Sequence, residues 1–147
     1  MEKSIQNEMR MTFPSLSVNE ALARSCAAAF CAQCNPTFDE LSDIKCAVSE
    51  AVTNAIVHGY RDEVGEISLA MRILPDRVLR IEIRDKGCGI SDIERARQPL
   101  FTTDPAGERS GMGFTVMENF MDSLRVVSTP GKGTKVVLTK KLSALPW

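Results

Sequence analysis

The stretch SEAVTNAIVHG, residues 49–59, has the spacing of a long helix and carries two polar side chains on an apolar background. Glu50 and Asn54 are four residues apart, so their side chains lie side by side, one helical turn apart. Apolar residues at helical spacing predict a stripe that faces the core, namely Leu41, Ile44, Val48, Ala51, Val52 and Ala55. The acid–amide pair lies on the flank of this stripe. Taken alone, such a pair is more often a solvated helix edge than a site.

The whole chain has the composition of one globular domain spanning residues 1–147. Its 147 residues are enough for a single domain with a core and too few for two. A net charge of -1 lacks the basic excess typical of nucleic-acid binders, so no nucleic-acid partner is expected. No apolar run approaches the roughly 20 residues that span a bilayer, and the N-terminus lacks a signal-peptide pattern. The sequence therefore predicts a cytoplasmic protein with no membrane partner.

The five cysteines do not form a metal-binding pattern. Cys31 and Cys34 are the only close pair, no second pair follows, and the single histidine, His58, lies on another segment. Zinc sites normally combine four ligands in paired spacing. The better interpretation is small buried thiols in a reducing compartment.

Local signals predict helices between groups of strands. The capping-box pattern, a Ser or Thr with a Glu three residues later, predicts the start of a helix. It occurs at Ser17 with Glu20, at Thr37 with Glu40 and at Ser91 with Glu94. Alternating apolar and polar residues predict strands over 9–14, 65–74 and 77–85 and a hairpin over 124–142. The order β-α-α-β-β-lid-α-β-β predicts an α+β fold, with helices on one face of a mixed sheet.

The first glycine motif, RDKGCGI, follows the predicted strand that ends at Asp85. Gly87 and Gly89 allow positive φ and let a ligand approach the backbone closely. A carboxylate fixed at a strand end can accept a hydrogen bond from an exocyclic amino group such as that of adenine. A tight turn is the simpler explanation of this motif taken alone.

The second glycine motif, RSGMGF, lies at the start of a predicted helix. Gly111 and Gly113 leave backbone N–H groups bare at a helix N-terminus, which binds phosphate readily. Arg109 adds a cation that could reach a terminal phosphate. A third motif, GKGT, fits a hairpin turn, and the hydroxyl of Thr134 could join Asp85 around a base. Each of these motifs has an ordinary structural explanation of its own.

In sequence order, the motifs resemble those of the ATPase domain shared by gyrase-, Hsp90-, histidine-kinase- and MutL-type proteins. The resemblance covers residues 37–140. Within this group, the chain most resembles the anti-sigma-factor serine kinases of spore-forming bacteria. This finer resemblance rests on the stretches 49–60 and 97–122 and on the length of a single domain. The resemblance implies a two-layer sandwich of the Bergerat type with an ATP lid over about residues 90–110.

The resemblance also implies roles for individual residues. Glu50 would act as general base towards a serine hydroxyl, and Asn54 would coordinate Mg²⁺ that bridges the phosphates of ATP. Asp85 would bind the adenine amino group with help from Thr134, and Arg109 would contact the γ-phosphate as a catalytic residue. Further nucleotide-binding positions are Gly87, Gly89, Thr102, Thr103, Ser110, Gly111, Met112 and Gly113.

Two protein partners and a homodimer follow from the same resemblance. A sporulation sigma factor of the sigma F type would be bound and inhibited, and an anti-anti-sigma protein would be phosphorylated on a serine. Arg24 matches a partner-contacting arginine of the family, although a solvated arginine explains it nearly as well. Residues 1–36 would form the dimer and partner-binding region.

Three alternatives remain open at this point. A histidine kinase needs a phosphoacceptor histidine on a separate helix pair, whereas His58 lies within the nucleotide-binding helix. A second alternative is a related serine kinase that controls a stress-response sigma factor. Only the similarity of the lid and of the helix after it favours the sporulation kinases over this class. A sequestering module that uses ATP as a structural ligand would not need both Glu50 and Asn54.

Overall fold

The computed structural model describes residues 4–60, 63–90 and 113–145. These residues form β1 (Asn7–Pro14), α1 (Asn19–Cys31), α2 (Phe38–Asn54), β2 (Glu66–Leu74), β3 (Val78–Asp85), α3 (Gly113–Phe120), β4 (Ser123–Thr129) and β5 (Gly133–Lys141). A short 3-10 helix follows α1, and a π-helical turn continues α2. The predicted order of strands and helices is confirmed, while the predicted ATP lid lies outside the described residues.

The five strands form one open sheet in the order β1-β2-β3-β5-β4. All of the described pairings are antiparallel. The prediction of an α+β fold is confirmed, but a mixed sheet is wrong for the described strands. The two hairpins, β2–β3 and β4–β5, are antiparallel because short turns join their strands. β5 lies between β3 and β4, which leaves β4 at the sheet edge, and the pairing of β3 with β5 is antiparallel too.

The core lies between one face of this sheet and the helices. Every second residue of β2 and β3 is buried, as expected for strands with one covered face. The largest fully buried side chains from the sheet and from α2 include Ile67, Leu69, Met71, Leu79, Ile81, Ile83, Ile44, Val48 and Val52. The opposite sheet face carries a charged network in which Arg72 pairs with Glu8 and Arg80 pairs with Glu82. One face of the sheet is therefore covered and the other is polar.

The predicted capping boxes have different outcomes. At the start of α2, the Glu40 amide donates to the Thr37 hydroxyl at 3.1 Å and the Thr37 amide donates to the Glu40 carboxylate at 2.8 Å, which confirms that box. The box at Ser17 is wrong, because α1 begins at Asn19 without a side-chain cap. Glu20 turns instead to Ser49 on α2. The third predicted box, at 91–94, lies outside the described residues.

The sequence suggested that the cysteines are small buried thiols, and this is wrong for some of them. Cys31 is fully buried, and burial raises the pKa of its thiol to about 11, whereas Cys46 and Cys88 are exposed. Within residues 4–60, 63–90 and 113–145, no cluster of three acidic, histidine or cysteine side chains could hold a metal ion. The helices of these ranges are too short or too polar to cross a membrane.

Candidate functional site

The flank of α2 brings Asn54 to the start of α3. Both Glu50 and Asn54 are half-buried, beside the apolar stripe of α2, which is buried from Ile44 onwards. A Cβ atom added to Gly113 would lie 2.8 Å from Nδ2 and 3.0 Å from Oδ1 of Asn54. Any side chain at the first residue of α3 would therefore displace the Asn54 amide, and glycine avoids this clash. The predicted helix start and the predicted metal-binding amide are direct neighbours.

The π-helical turn Ala55–Gly59 carries the chain from α2 to the end of β3. A Cβ atom on Gly59 would lie 2.9 Å from Cγ of Asp85, and one on Gly87 would lie 1.9 Å from the Gly59 carbonyl oxygen. The Cys88 amide donates to the same carbonyl at 2.9 Å. Glycine at position 59 thus leaves room for the Asp85 side chain, and glycine at position 87 allows its backbone to approach that of Gly59 closely.

Asp85 is buried at the end of β3, with 6% of its surface exposed. Its Oδ1 accepts the Gly87 amide at 2.9 Å, and Thr134 lies opposite it on β5. Burial raises the pKa of the Asp85 carboxyl, partly offset by hydrogen bonds from the backbone N–H groups of Gly87 and Thr134. Within residues 4–60, 63–90 and 113–145 the donors to this carboxylate are backbone N–H groups, which leave it acceptor capacity for a ligand.

The hydroxyl of Thr134 belongs to a small network that the sequence did not reveal. Ser128 Oγ accepts the Ile90 amide at 2.7 Å and donates to the Gly133 carbonyl oxygen at 3.0 Å. Thr134 Oγ1 lies 2.8 Å from Ser128 Oγ. Since the hydroxyl hydrogen of Ser128 is directed to Gly133, Thr134 is the donor of this bond. Ser128 therefore fixes the orientation of the Thr134 hydroxyl.

Tyr60 is a second residue that the motifs did not single out. Its side chain is buried, and its hydroxyl accepts the Lys86 amide at 2.6 Å and donates to the Glu66 carbonyl oxygen at 2.7 Å. Burial raises the pKa of the Tyr60 hydroxyl. The only sequence signal was its place directly after Gly59. Tyr60 ties the chain after α2 to the residue that follows Asp85.

The described part of the predicted site falls into two groups. Asn54 and Gly113 meet at the helix end, and Asp85, Gly87 and Thr134 meet at the strand end. Gly89, with φ 75°, packs its backbone against the turn between β4 and β5. The remaining predicted positions lie outside the described residues, namely Thr102, Thr103, Arg109, Ser110, Gly111 and Met112.

Arg24 lies apart from both groups, on α1. Its side chain is 41% exposed, and its Nη1 lies 3.6 Å from Oε1 of Glu20. An exposed guanidinium with a loose intramolecular partner is available to a second protein at modest cost.

The chemistry of the site suits a magnesium nucleotide. The buried carboxylate of Asp85 can accept from a base, while the Asn54 amide supplies an oxygen, the ligand type that Mg²⁺ prefers. Mg²⁺ is commonly held by few protein oxygens together with substrate phosphates. A single amide oxygen beside a helix start therefore fits such an ion when the phosphates of a bound nucleotide complete its shell.

Comparisons with known proteins agree with this geometry. Residues 13–140 match the family model of the histidine kinase-like ATPase domain. The chain is 55% identical over 140 residues to the anti-sigma F factor of Bacillus subtilis strain 168, covering 95% of each chain. It is 48% identical over 141 residues to the anti-sigma F factor of Clostridium acetobutylicum, covering 96% of this chain and 98% of the relative.

Solved structures show the same fold. The crystal structure of the RsbU and RsbW domains of a Mycobacterium tuberculosis protein superposes with a TM-score of 0.68 at 21% identity, covering 93% of this chain and 32% of that one. The chain belongs to the histidine kinase-like ATPase family and, within it, to the anti-sigma F factors.

Proposed function

We propose that this protein is an anti-sigma factor and an ATP-dependent serine kinase. It binds and inhibits a sporulation sigma factor of the sigma F type, and it phosphorylates a serine of an anti-anti-sigma protein, which inactivates that protein. The observation that carries this proposal is the joint presence of Glu50 and Asn54 on α2, beside the start of α3. A nucleotide site that only held ATP would need the amide but not the carboxylate.

Glu50 would act by position. An ordinary carboxylate is a weak base towards a serine hydroxyl, so its use is to accept the proton as the new O–P bond forms and the bond to ADP breaks. Phosphoryl transfer depends mainly on alignment and neutralisation of charge. The rigid helix α2 holds Glu50 one turn before Asn54, so base and phosphate-side amide keep a fixed separation.

Nucleotide binding would divide between the two groups of the site. Asp85 accepts a hydrogen bond from the adenine amino group, and the Thr134 side chain stands beside it. Asn54 offers its amide oxygen to Mg²⁺, which would neutralise charge on the phosphates when bound. Arg109 and the backbone of 110–113 would hold the terminal phosphate, and Thr102 and Thr103 would contribute from the lid.

The protein partners are inferred from the names of the relatives and from Arg24. The relatives at 48% and 55% identity are called anti-sigma F factors, which favours the sporulation sigma factor over a stress-response one. The sole histidine, His58, lies in the π-helical turn after α2, which speaks against a phosphoacceptor on a separate helix pair. We also propose a homodimer built through residues 1–36, which sedimentation of the purified protein tests.

The test of the kinase is phosphotransfer. The purified protein is mixed with Mg²⁺, γ-labelled ATP and the anti-anti-sigma protein of the same organism, beside a Glu50→Gln variant. Glu63→Gln, an exposed acid outside the site, is the matched control. We expect label on a partner serine with the wild type and with Glu63→Gln, and none with Glu50→Gln, although that variant still binds ATP.

Two results would contradict parts of this proposal. Equal label with Glu50→Gln would remove Glu50 from the catalytic step. No label with the wild type, while ATP and the sigma factor are still bound, would leave a nucleotide-dependent sequestering protein.

A further inference from the structure

The carboxylate of Glu20 joins two residues that the proposed function treats separately. The Ser49 hydroxyl donates to Oε1 of Glu20, and Arg24 Nη1 lies 3.6 Å from the same oxygen. One oxygen of α1 is therefore shared between a serine of α2 and an arginine assigned to partner binding. The Glu20 side chain is only 21% exposed, less than the 41% of Arg24.

The sequence pattern makes this contact unexpected. Three residues after Ser17, Glu20 stands where a capping box would use its carboxylate at the start of its own helix. In the structure α1 begins without a side-chain cap, and the carboxylate faces α2 instead. The carboxylate predicted to cap its own helix joins α1 to α2 instead, while its ion pair with Arg24 stays within α1.

The position of Ser49 gives this contact a consequence for catalysis. Ser49 directly precedes Glu50 on α2, and a helix transmits a restraint on one residue to its neighbour because backbone hydrogen bonds fix both. Glu20 therefore holds α1 against the segment of α2 that carries the proposed general base. Displacements of about 1 Å can cost about a hundredfold in rate when a reacting group loses alignment.

We propose that Glu20 is a positioning residue that couples contact of a partner at Arg24 to the alignment of Glu50; this rests on the proposed function. An acidic side chain of the partner competes with Glu20 for the guanidinium of Arg24. When the guanidinium turns to the partner, Oε1 of Glu20 is left to the Ser49 hydroxyl alone, and a hydrogen bond to an unshared carboxylate oxygen is stronger. Docking of an acidic protein surface thereby tightens the link beside Glu50.

The reaction itself provides the first test. Phosphotransfer to the anti-anti-sigma protein is measured with wild type, Ser49→Ala, Ser49→Thr and the control Ser42→Ala, which removes an exposed hydroxyl two turns earlier on the same helix. We expect Ser49→Ala to lower kcat about threefold or more with ATP affinity unchanged. Ser49→Thr keeps a hydroxyl and should restore kcat, and Ser42→Ala should match wild type.

A double-mutant cycle provides the second test. Affinity for the anti-anti-sigma protein is measured for wild type, Arg24→Ala, Ser49→Ala and the double variant. Coupling predicts that Ser49→Ala weakens binding about threefold or more when Arg24 is present and has no effect in its absence. A structural role alone would weaken binding equally in both backgrounds. Should Ser49→Ala fail to fold, Glu20→Gln takes its place in the cycle. This variant still accepts from Ser49 but no longer competes for Arg24, so coupling predicts that its effect on binding appears only when Arg24 is present.

The outcomes separate the two proposals. An inactive wild type overturns the proposed kinase and this inference with it. An active wild type whose kcat is unaffected by Ser49→Ala, or whose cycle is additive, overturns this inference alone. A lowered kcat that Ser49→Thr rescues, together with a non-additive cycle, supports it.

Discussion

The hydroxyl of Tyr60 accepts the backbone N–H of Lys86 at 2.6 Å, one residue beyond the buried Asp85. The same hydroxyl donates to the Glu66 carbonyl oxygen at 2.7 Å, so it joins the end of β3 to the beginning of β2. A Cβ atom on Gly65 would lie 2.2 Å from the Tyr60 ring, which shows how closely the backbone packs on it. Tyr60 thus holds the strand end that carries the buried Asp85 carboxylate.

Replacing Tyr60 by Phe keeps the ring and removes both hydrogen bonds. The Lys86 N–H and the Glu66 C=O lose their partner at a part-buried position, which costs about 1–3 kcal/mol. We expect Tyr60→Phe to lower the free energy of unfolding by this amount and to weaken ATP binding several-fold through displacement of Asp85. Urea unfolding and calorimetric titration with ATP measure the two effects. ATP affinity equal to wild type would show that Tyr60 supports the fold alone.

The buried carboxyl of Asp85 should make ATP affinity decrease at acidic pH. Burial raises the pKa of its carboxyl above the ordinary value, so it takes up a proton at a higher pH than an exposed aspartate. The protonated carboxyl accepts the adenine amino group poorly, and we expect ATP affinity to fall as the pH decreases through this pKa. In the window between the unfolded and folded pKa values the native state binds more protons, so this group makes the fold less stable as the pH rises, not as it falls.

The measurement is the dissociation constant of ATP between neutral pH and about pH 4.5, where exposed carboxyls begin to titrate. Asp85→Asn is the control, because ATP itself titrates equally with both proteins. This variant should bind weakly at every pH and lack the extra decrease in affinity at acidic pH. Parallel curves for wild type and Asp85→Asn would contradict the assignment.

Substitution of Gly113 or Gly131 by Ala should have opposite effects on stability and on phosphotransfer. Ala at Gly113 would push on the Asn54 amide but suits the helix, and the fold should be unchanged or gain up to about 1 kcal/mol. Phosphotransfer should fall about tenfold or more, since the amide can no longer keep its place. A Cβ on Gly131 meets no atom within 4 Å, but its φ of 79° makes Ala costly by about 1 kcal/mol.

Gly131→Ala should therefore lose stability and keep full activity, the reverse of Gly113→Ala. Thermal unfolding and phosphotransfer measured side by side decide the matter. If both variants lost stability and activity together, the contact between Gly113 and Asn54 would have no separate role.

Replacing Arg77 by Ala should lower the stability of the fold without affecting the site. Its guanidinium donates to the Cys34 carbonyl oxygen at 2.6 Å and to the Ser143 carbonyl oxygen at 2.8 Å. It thereby ties the chain after α1 to the chain after β5. We expect Arg77→Ala to lower the free energy of unfolding by about 2 kcal/mol, since hydrogen bonds from a charged donor are lost. Arg125→Ala, at an exposed position, should stay within about 0.5 kcal/mol of wild type.

ATP affinity serves as the internal check on Arg77, which lies outside the site. Unfolding in urea and ATP titration of the native protein report on the two properties independently. A large change in ATP affinity with unchanged stability would show that this prediction is wrong.

Local patterns predicted the fold where the interactions themselves are local. Thr37 and Glu40 satisfy each other's backbone within one helical turn, so their spacing was sufficient. The same spacing at Ser17 failed because Glu20 found a partner on another helix, 29 residues away in sequence. Nothing in a local window distinguishes the two carboxylates, since a tertiary contact decides the second one.

The site shows the same division. The proximity of Asp85 and Gly87 could be predicted because they are two residues apart along the chain, whereas a nucleotide site there was indicated only by the order of all the motifs. Ser128 and Tyr60 could not, because each has one backbone partner distant in sequence, Ile90 for Ser128 and Lys86 for Tyr60. Serine and tyrosine are also common in strands and helix ends. Antiparallel pairing of β3 with β5 joins strands that α3 and β4 separate along the chain, and no periodicity within a strand encodes such a pairing.

The π-helical turn after α2 makes the number of residues between Asn54 and Tyr60 a constraint of its own. The Tyr60 amide bonds to the Ala55 carbonyl oxygen at 3.2 Å, five residues back, one more than in an α-helix. Deleting one residue here would rotate all that follows by about 100° and carry the Tyr60 hydroxyl away from Lys86. Homologues can therefore vary in composition along 55–58, whereas Gly59 and the length of the turn are constrained, and insertions or deletions in this lineage should be absent from it.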